Sequence, residues 1–502
     1  MFLKEIKKTL NGNSEFNESY TENGALGYRT TGKSLLDLNY KVASLRSANE
    51  SYIKDLFKKA FFEDKLLALK WLFFASDVRE GLGERRLFRV VIKDFAVNNP
   101  EYIDHLIEHI PEYSRWDNIL EMLETGLENK AAEIIGRQLA EDKKNKNENK
   151  PVSLLAKWLP SANTSSKETV KKAKKLCKLL NMSEKEYRKM LSDMRKYIDV
   201  IEVKMSAKEW GSINYEAVPS RANLIYNGAF LRNDEERRRD YLSKLEKGEA
   251  EINAGVLYPH DIFHSYIDGG YYLKPYDSAL ENLWKGLPDV MCNNTIVVAD
   301  GSGSMTCGVG NTRVQALTVA NALAVYFAER LNGEFKDKYI TFSKRPQLVD
   351  FSRCKSLKEK IELAYRHNEV ANTNIEAVFN LILTTAQRAQ MKQSNLPQNI
   401  LILSDMEFDA AVDGNVGQKL FQAIGLKYKK AGYKLPRLIF WNLNSRTGTI
   451  PIIENDLGVA LVSGFSVNIV KMVLSGELDP YKCLMEQLMS GRYTKITLPV
   501  AK

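Results

Sequence analysis

The sequence predicts two parts: a run of short α-helices, then an α/β domain built on a doubly wound, mainly parallel sheet. Three observations carry this. Strand-like alternation is nearly absent before about residue 290, where one helical apolar pattern follows another. Thr295-Ile-Val-Val-Ala-Asp300 then introduces short β-branched runs, the mark of buried strands. From there strand and helix patterns alternate to the end, which argues for crossover connections and a parallel sheet. The expected division is an N-terminal extension over 1–47, a helical domain over 48–290 and an α/β domain over 291–502.

In the helical part, apolar spacing predicts helices over 61–76, 84–96, 115–123, 131–139, 167–180, 183–195, 234–247 and 260–267. Asn99-Pro100 opens a further one, with proline in the first turn. Short helices joined by short loops suggest stacked helical pairs, a solenoid of the HEAT type. The polar stretch 141–150, EDKKNKNENK, is expected to be a flexible loop. In the second part, strands are expected at 295–300, 339–343, 347–351, 399–404, 437–442 and 459–463. Helices are expected at 313–331, 355–365, 375–391 and 417–430, and from Ser466.

Composition narrows the class. With 44% hydrophobic and 27% charged residues, the 502-residue chain has the profile of a soluble globular protein. Its longest apolar run in the first half, interrupted by Lys70, is far too short for a bilayer. The N-terminus lacks the apolar core of a secretion signal. Five cysteines without CxxC spacing suggest neither a disulfide framework nor a zinc site, and a reducing cytoplasm is the expected compartment. The net charge is +9, and residues 143–210 alone carry 18 basic against 8 acidic side chains. A basic stretch of that density suits a polyanion such as RNA, with a solvated lysine-rich helix face as the plainer alternative.

The chemistry concentrates at the end of the first strand. Asp300-Gly301-Ser302-Gly303-Ser304 offers a carboxylate and two hydroxyls at alternate positions of a tight loop. Thr373 lies just before a predicted helix, and Asp405 directly follows the strand at 399–404. In a doubly wound sheet such loop ends converge where the strand order reverses. Hard oxygen donors with few formal charges favour Mg²⁺, with Mn²⁺ or Ca²⁺ as substitutes.

These five residues resemble the metal-ion-dependent adhesion site of the von Willebrand factor A domain: DxSxS, then Thr, then Asp. The resemblance implies that Ser302, Ser304 and Thr373 ligate the ion directly or nearly so. Asp300 and Asp405 would act largely through waters, and an acidic residue of a protein partner would complete the shell. In the helical half, 77–88 (DVREGLGERRLF) resembles the D-x-R-x-G-x-G-x-R segment of the TROVE module, the helical ring of the Ro autoantigen. The segments 113–117, 156–160, 187–191 and 205–210 are similar to those of a TROVE-like family. That family occurs in phages, bacteria and plants and also ends in a von Willebrand A domain. For Ro-like proteins it implies a ring of HEAT-like repeats that binds noncoding or misfolded RNA.

A basic channel would track phosphates while unpaired bases meet side chains. Candidates are Lys157 beside Trp158, Lys171, Lys172, Lys174, Lys175, Arg188, Lys189, Arg195 and Lys196. Gly27 to Ser34 spells GxxxxGKS, but no strand–loop–helix setting surrounds it, and the stretch is read as structural. His105 and His109 fit HxxEH, yet Leu106 and Ile110 already explain the segment as an amphipathic helix without zinc. No nucleophile–base arrangement stands out. The expectation is a non-catalytic, cytoplasmic RNA-binding protein with a magnesium site, without membrane attachment or evident DNA specificity. The alternative is a metal-dependent protein scaffold, phage-encoded in kind, that binds no RNA.

Overall fold

In the computed structural model a helical N-terminal region precedes a six-stranded, mostly parallel sheet flanked by helices. The structure describes residues 17–268, 272–289, 294–310, 312–410, 419–453, 457–469 and 479–499.

The sheet strands are β1 (Thr295–Asp300), β2 (Lys338–Phe342), β3 (Gln347–Asp350), β4 (Asn399–Ser404), β5 (Arg437–Asn442) and β6 (Val459–Ser463). Their order across the sheet is β3-β2-β1-β4-β5-β6, with β3 antiparallel at one edge and every other pairing parallel. The chain therefore builds outward from β1 in one direction, then restarts beside it with β4 and builds the other way. The reversal falls between β1 and β4, the crevice where doubly wound sheets hold their ligands. β1, β4, β5 and β6 are buried almost throughout, as expected of strands with helices on both faces. Helix Ala316–Arg330 lies against β1, β2 and β4 and has few polar positions because nearly all its residues are covered.

The chain divides into two compact units that do not follow its linear order. The α/β unit takes residues 1–64 and 254–490, and the helical unit takes 65–253 and 491–502. The expected boundaries at 47 and 290 thus differ from the division made by packing. The stretch read as an N-terminal extension is part of the α/β core in its described portion. Helix Ser34–Lys41 buries Leu35, Leu36, Leu38 and Tyr40 and packs on β6, so the far edge of the sheet is covered. Asn442 Nδ2 donates to the Tyr40 carbonyl (2.9 Å), and the Ala43 amide donates to Ser463 Oγ (2.9 Å). Helix Ser278–Lys285 belongs here too: the Glu281 carboxylate accepts from the Leu357 and Lys358 amides, at 2.7 and 3.1 Å, at the start of helix Leu357–Arg366.

The helical unit stacks sequence neighbours on one another: Lys65–Ser76 on Arg85–Asn98, Lys167–Leu179 on Glu184–Tyr197, and Ser220–Asn233 on Glu235–Lys247. Residues 491–499 return to it. Arg492 Nε pairs with Asp77 Oδ2 (2.9 Å), the Tyr493 hydroxyl donates to the same carboxylate (3.2 Å), and the Tyr493 ring stacks on Tyr113. The glycine-bearing segment after Asp77 is a tight turn with a structural purpose. A Cβ on Gly81 would stand 2.0 Å from the Phe74 carbonyl oxygen, and Gly83 is left-handed (φ 70°).

One element departs from expectation. The stretch 141–150 is helical for most of its length, the end of a 20-residue helix Glu128–Asn147. Its composition hid a buried anchor. Asp142 is fully enclosed and accepts from the Ser153 amide (2.9 Å), the Ser153 hydroxyl (2.6 Å) and Gln138 Nε2 (3.1 Å). Elsewhere the expected 61–76 helix is divided at Asp64 between Glu50–Glu63 and Lys65–Ser76, the expected 131–139 helix is part of Glu128–Asn147, and 115–123 is a 3₁₀ segment, Trp116–Glu124. The remaining expected strands and helices recur within a few residues of their limits, except that the start of the 417–430 helix and the continuation of the helix from Ser466 lie outside the described residues.

Candidate metal site

The five residues singled out from sequence sit on three loops at the carboxyl ends of β1 and β4, at the reversal point. Asp300 closes β1 and is fully buried; its Oδ1 accepts from the Ser302 amide (2.9 Å) and its Oδ2 from the Ser404 hydroxyl (2.6 Å). Ser302 and Ser304 place their hydroxyls 3.1 Å apart, aimed to the same side of the loop. The second loop is tied to the first by backbone bonds: Gly303 N to Ala371 O (2.9 Å) and Val370 N to Gly301 O (3.0 Å). That pairing delivers buried Thr373 next to the serines, just before helix Ile375–Arg388, whose first turn Asn374 caps. Asp405 follows β4 and is also fully buried.

Backbone strain collects here. Val370 and Met406 are left-handed, at φ 49° and 65°. A β-branched residue in that region is costly and persists only where its surroundings impose it.

Electrostatics favour a cation. Burial, and then the Asp405 charge, push the Asp300 carboxyl up to about 7. Burial also raises Asp405, with the Ser304 hydroxyl and the Arg446 guanidinium acting in the opposite sense. Two buried carboxylates that resist ionisation together are stabilised by a divalent ion between them. Asp405 Oδ2 is buried with no hydrogen-bond partner; the cation beside it is Arg446, with Nη1 at 3.4 Å. An unsatisfied carboxylate oxygen, a second buried carboxylate and three hydroxyls form a hard-oxygen donor set suited to Mg²⁺. Among the described residues no group of three or more His, Cys, Asp or Glu side chains is arranged to hold a metal, so this hydroxyl-rich set depends on its serines and threonine.

Two features escaped sequence reasoning. Glu407, two residues past Asp405, is fully buried and serves as an anion hub. Its carboxylate accepts from the Glu22 amide (2.7 Å), the Arg446 and Thr447 amides (2.8 and 2.9 Å) and the Ser445 and Thr447 hydroxyls (both 3.1 Å). It fixes the loop that carries Arg446 and the turn that carries Glu22. The second is the N-terminal hairpin, Glu18–Tyr20 with Leu26–Tyr28, which docks on the site's loops. Tyr28 and Ile450 exchange backbone bonds at 2.8 Å both ways, and Thr21 Oγ1 donates to the Phe408 carbonyl (2.6 Å). The polar Glu22-Asn23 turn gave no apolar periodicity from which this docking could be read.

The GxxxxGKS stretch is no phosphate cradle. Asp37 accepts from the Thr31 amide and hydroxyl, both at 2.8 Å, and pairs with the Thr30 hydroxyl, so a carboxylate occupies the donors a phosphate would need. His105 Nε2 lies 2.9 Å from the Thr497 carbonyl in a 3₁₀ segment, and His260 stacks on Tyr258.

The basic candidates divide. Arg195 is tied into the fold: its guanidinium donates to the Ala156 carbonyl (2.9 Å), the Leu159 carbonyl (2.8 Å) and Ser161 Oγ (2.9 Å), so its donors are already engaged by the protein. Lys172 pairs with Glu168 (3.4 Å), Lys174 with Glu184 (3.5 Å) and Lys175 with Glu128 (3.6 Å), so these three lysines already have acidic partners. Lys171, Arg188, Lys189 and Lys196 are exposed. Lys157 lies 5.7 Å over the Trp158 ring, whose face also carries Arg115 at 3.9 Å, so the aromatic is already occupied.

Comparison with known families places a domain of unknown function, DUF7788, over residues 294–490 and a second, DUF2828, over residues 127–287. The first spans all six strands of the sheet. The chain is also similar to an uncharacterized protein of Acanthamoeba polyphaga mimivirus, with 28% identity over 514 aligned positions covering 94% of this chain and 87% of that protein.

Proposed function

We propose that this is a non-catalytic binding protein whose α/β unit is of the von Willebrand A type and captures an acidic side chain of a protein partner through a bound Mg²⁺ ion. The observation that carries the reading is the fully buried pair Asp300 and Asp405 at the reversal point, with Asp405 Oδ2 lacking a hydrogen-bond partner beside Arg446 (3.4 Å) and the Ser302 and Ser304 hydroxyls 3.1 Å apart on the loop after Asp300. The strand order with its single antiparallel edge supports the assignment. Ser302, Ser304 and Thr373 would hold the ion, Asp300 and Asp405 would balance its charge, and the ion would supply an open position for an outside carboxylate.

The helical unit reads as HEAT-like pairs, supported by its sequence-adjacent stacking. RNA binding is a second reading, favoured by exposed Lys171, Arg188, Lys189 and Lys196. Cys177, Cys307 and Cys354 are not in disulfides, which fits a reducing cytoplasm, and among the described residues no helix is long and apolar enough to cross a membrane.

Calorimetric titration of the full chain with Mg²⁺ tests the leading reading. One site is expected, lost in Asp300→Ala and in Asp405→Ala; no heat from the wild type at millimolar Mg²⁺ would rule it out. Crosslinking and recovery of RNA, against a variant with Lys171, Lys172, Lys174 and Lys175 reversed in charge, tests the second. RNA binding should weaken with salt and survive removal of the metal.

A further inference from the structure

The rim of the metal site carries a guanidinium that is already holding a carboxylate. Arg446 Nε donates to Glu22 Oε2 (2.6 Å), while its Nη1 faces Asp405 Oδ2 (3.4 Å) and approaches Cys307 Sγ (3.9 Å) on the loop that follows the two serines. The adjoining residue of the hairpin turn covers another part of the rim. Asn23 Nδ2 donates to Thr373 Oγ1 (3.1 Å) and to the Glu407 carbonyl (2.6 Å). Both side chains of the turn therefore rest on groups of the site itself: Asn23 on a proposed ligand, and Glu22 on the cation beside one.

The turn is buried at its base and exposed at its tip. Thr21, Ala25, Leu26 and Gly27 are buried, whereas Glu22, Asn23 and Gly24 are exposed. Gly27 sits so close to the Ile450 carbonyl that a Cβ there would be 2.5 Å from its oxygen, which holds the base against the site loops. The Glu22 side chain keeps 57% of its surface in solvent and Arg446 32%, so exchange of one carboxylate for another needs no opening of the core.

We infer that Arg446 is a second seat for the acidic partner at the metal site, and that Glu22 is its internal stand-in, displaced when the partner's carboxylate arrives. This rests on the metal-dependent reading proposed above and specifies how that site recognises its ligand. A carboxylate that takes Glu22's place on Arg446 is presented to the same open face as the ion. A partner offering a neutral or basic group there leaves Arg446 on Glu22 and the turn in place. The seat thus selects for Asp or Glu by charge pairing at the guanidinium as well as by ligation.

Water-proton relaxation of the Mn²⁺-loaded full chain, titrated with acetate as the carboxylate probe, tests this. Mn²⁺ binds the wild type and Glu22→Gln alike. Acetate affinity rises about tenfold in Glu22→Gln, the order expected when a competing charged hydrogen bond is removed. It falls below the wild-type value in Arg446→Gln and in the double variant. Amide exchange at residues 22–24 of the wild type quickens when acetate joins Mn²⁺. Unchanged acetate affinity in Glu22→Gln, with Mn²⁺ bound normally, would overturn the seat and leave the metal site standing. A loss of Mn²⁺ affinity in Glu22→Gln without any gain for acetate would overturn it as well, since Glu22 would then serve only to hold Arg446 away from Asp405. Failure of the wild type to bind Mn²⁺ would sink both the seat and the metal reading.

Discussion

Replacing Asp300 with asparagine should stabilise the metal-free protein, the reverse of what substitution at a buried, hydrogen-bonded position usually does. Burial and the neighbouring Asp405 carry the Asp300 carboxyl from the ordinary 3.8 to about 7. Its folded value therefore lies above its unfolded value. The stability associated with the neutral carboxyl is fully present below about pH 4 and is lost as the pH rises to about 7. A shift of this size corresponds to on the order of 4 kcal/mol between the two ends of that window. Asparagine keeps the geometry: its oxygen still accepts from the Ser302 amide, and its amide can donate to Ser404 Oγ, which need only turn its proton. At roughly 2 °C per kcal/mol for a unit of this size, Asp300→Asn should melt about 8 °C above the wild type in chelator at pH 8. At pH 4 the difference should nearly vanish. Mg²⁺ narrows the gap, because an ion at 100 times its Kd stabilises the wild type by about 2.7 kcal/mol and the variant hardly at all; at roughly 1,000 times its Kd, worth about 4.1 kcal/mol, it closes the gap. Differential scanning calorimetry at pH 4, 6 and 8, with chelator and with Mg²⁺, reads all of this. If Asp300→Asn melts below the wild type at pH 8 in chelator, and Mg²⁺ shifts both equally, Asp300 is an ordinary structural carboxylate.

Arg195→Met should destabilise the helical unit by about 2 kcal/mol, by leaving the Ala156 and Leu159 carbonyls without their donor; urea denaturation checks it, and an unchanged midpoint would restore Arg195 as a candidate nucleic-acid contact. Gly27→Ala should cost about 1–3 kcal/mol, because its methyl group meets the Ile450 carbonyl; limited proteolysis should then cut near the hairpin while the sheet stays resistant. Glu407→Gln should cost about 2–3 kcal/mol through its charge-assisted bonds to the Glu22, Arg446 and Thr447 amides. It should also loosen amide exchange in the turn at 22–24, and a silent exchange profile would count against Glu407 as the hub of the site.

What could be read from the sequence followed from local signals. β1 announces itself because a strand covered on both faces must be apolar at every position, and Thr295 to Ala299 is so, save for its threonine. Asp300, Ser302 and Ser304 were legible because alternate positions on one short loop converge without help from the rest of the chain. Thr373 and Asp405 needed the family pattern as well, since nothing local links positions so far apart. The 141–150 stretch was misjudged for the opposite reason. Helix propensity there is adequate, and the decisive interaction, Asp142 with Ser153 beyond the end of the helix, is one of which composition gives no sign. The pairing within the basic segment was hidden in a related way. Counting charges cannot show that Lys172, Lys174 and Lys175 face Glu168, Glu184 and Glu128.

The covering of the metal site is the least legible feature, and the physical reason also bears on how the site works. A turn that seals a polar site must be polar, so Glu22 and Asn23 carry none of the apolar periodicity that reveals packing. What holds the turn is long-range and backbone-mediated: Tyr28 with Ile450, Thr21 with Phe408, and Glu22 with Glu407. Hydrogen bonds of this kind contribute about 1 kcal/mol each, so the base is secured by several together, while the side chains of the exposed tip add the contacts of Glu22 to Arg446 and of Asn23 to Thr373 and the Glu407 carbonyl. A cover whose Glu22 side chain is exposed while its base is held through the backbone can yield that side chain's place to a competing carboxylate without unfolding the unit. Glu407 makes the two states interdependent, since one carboxylate binds both the turn that covers the site and the loop that carries Arg446. Any ligand that moves Arg446 must therefore be felt at Glu22, and any change that frees Glu22 must be felt at Asp405, beside the proposed metal position.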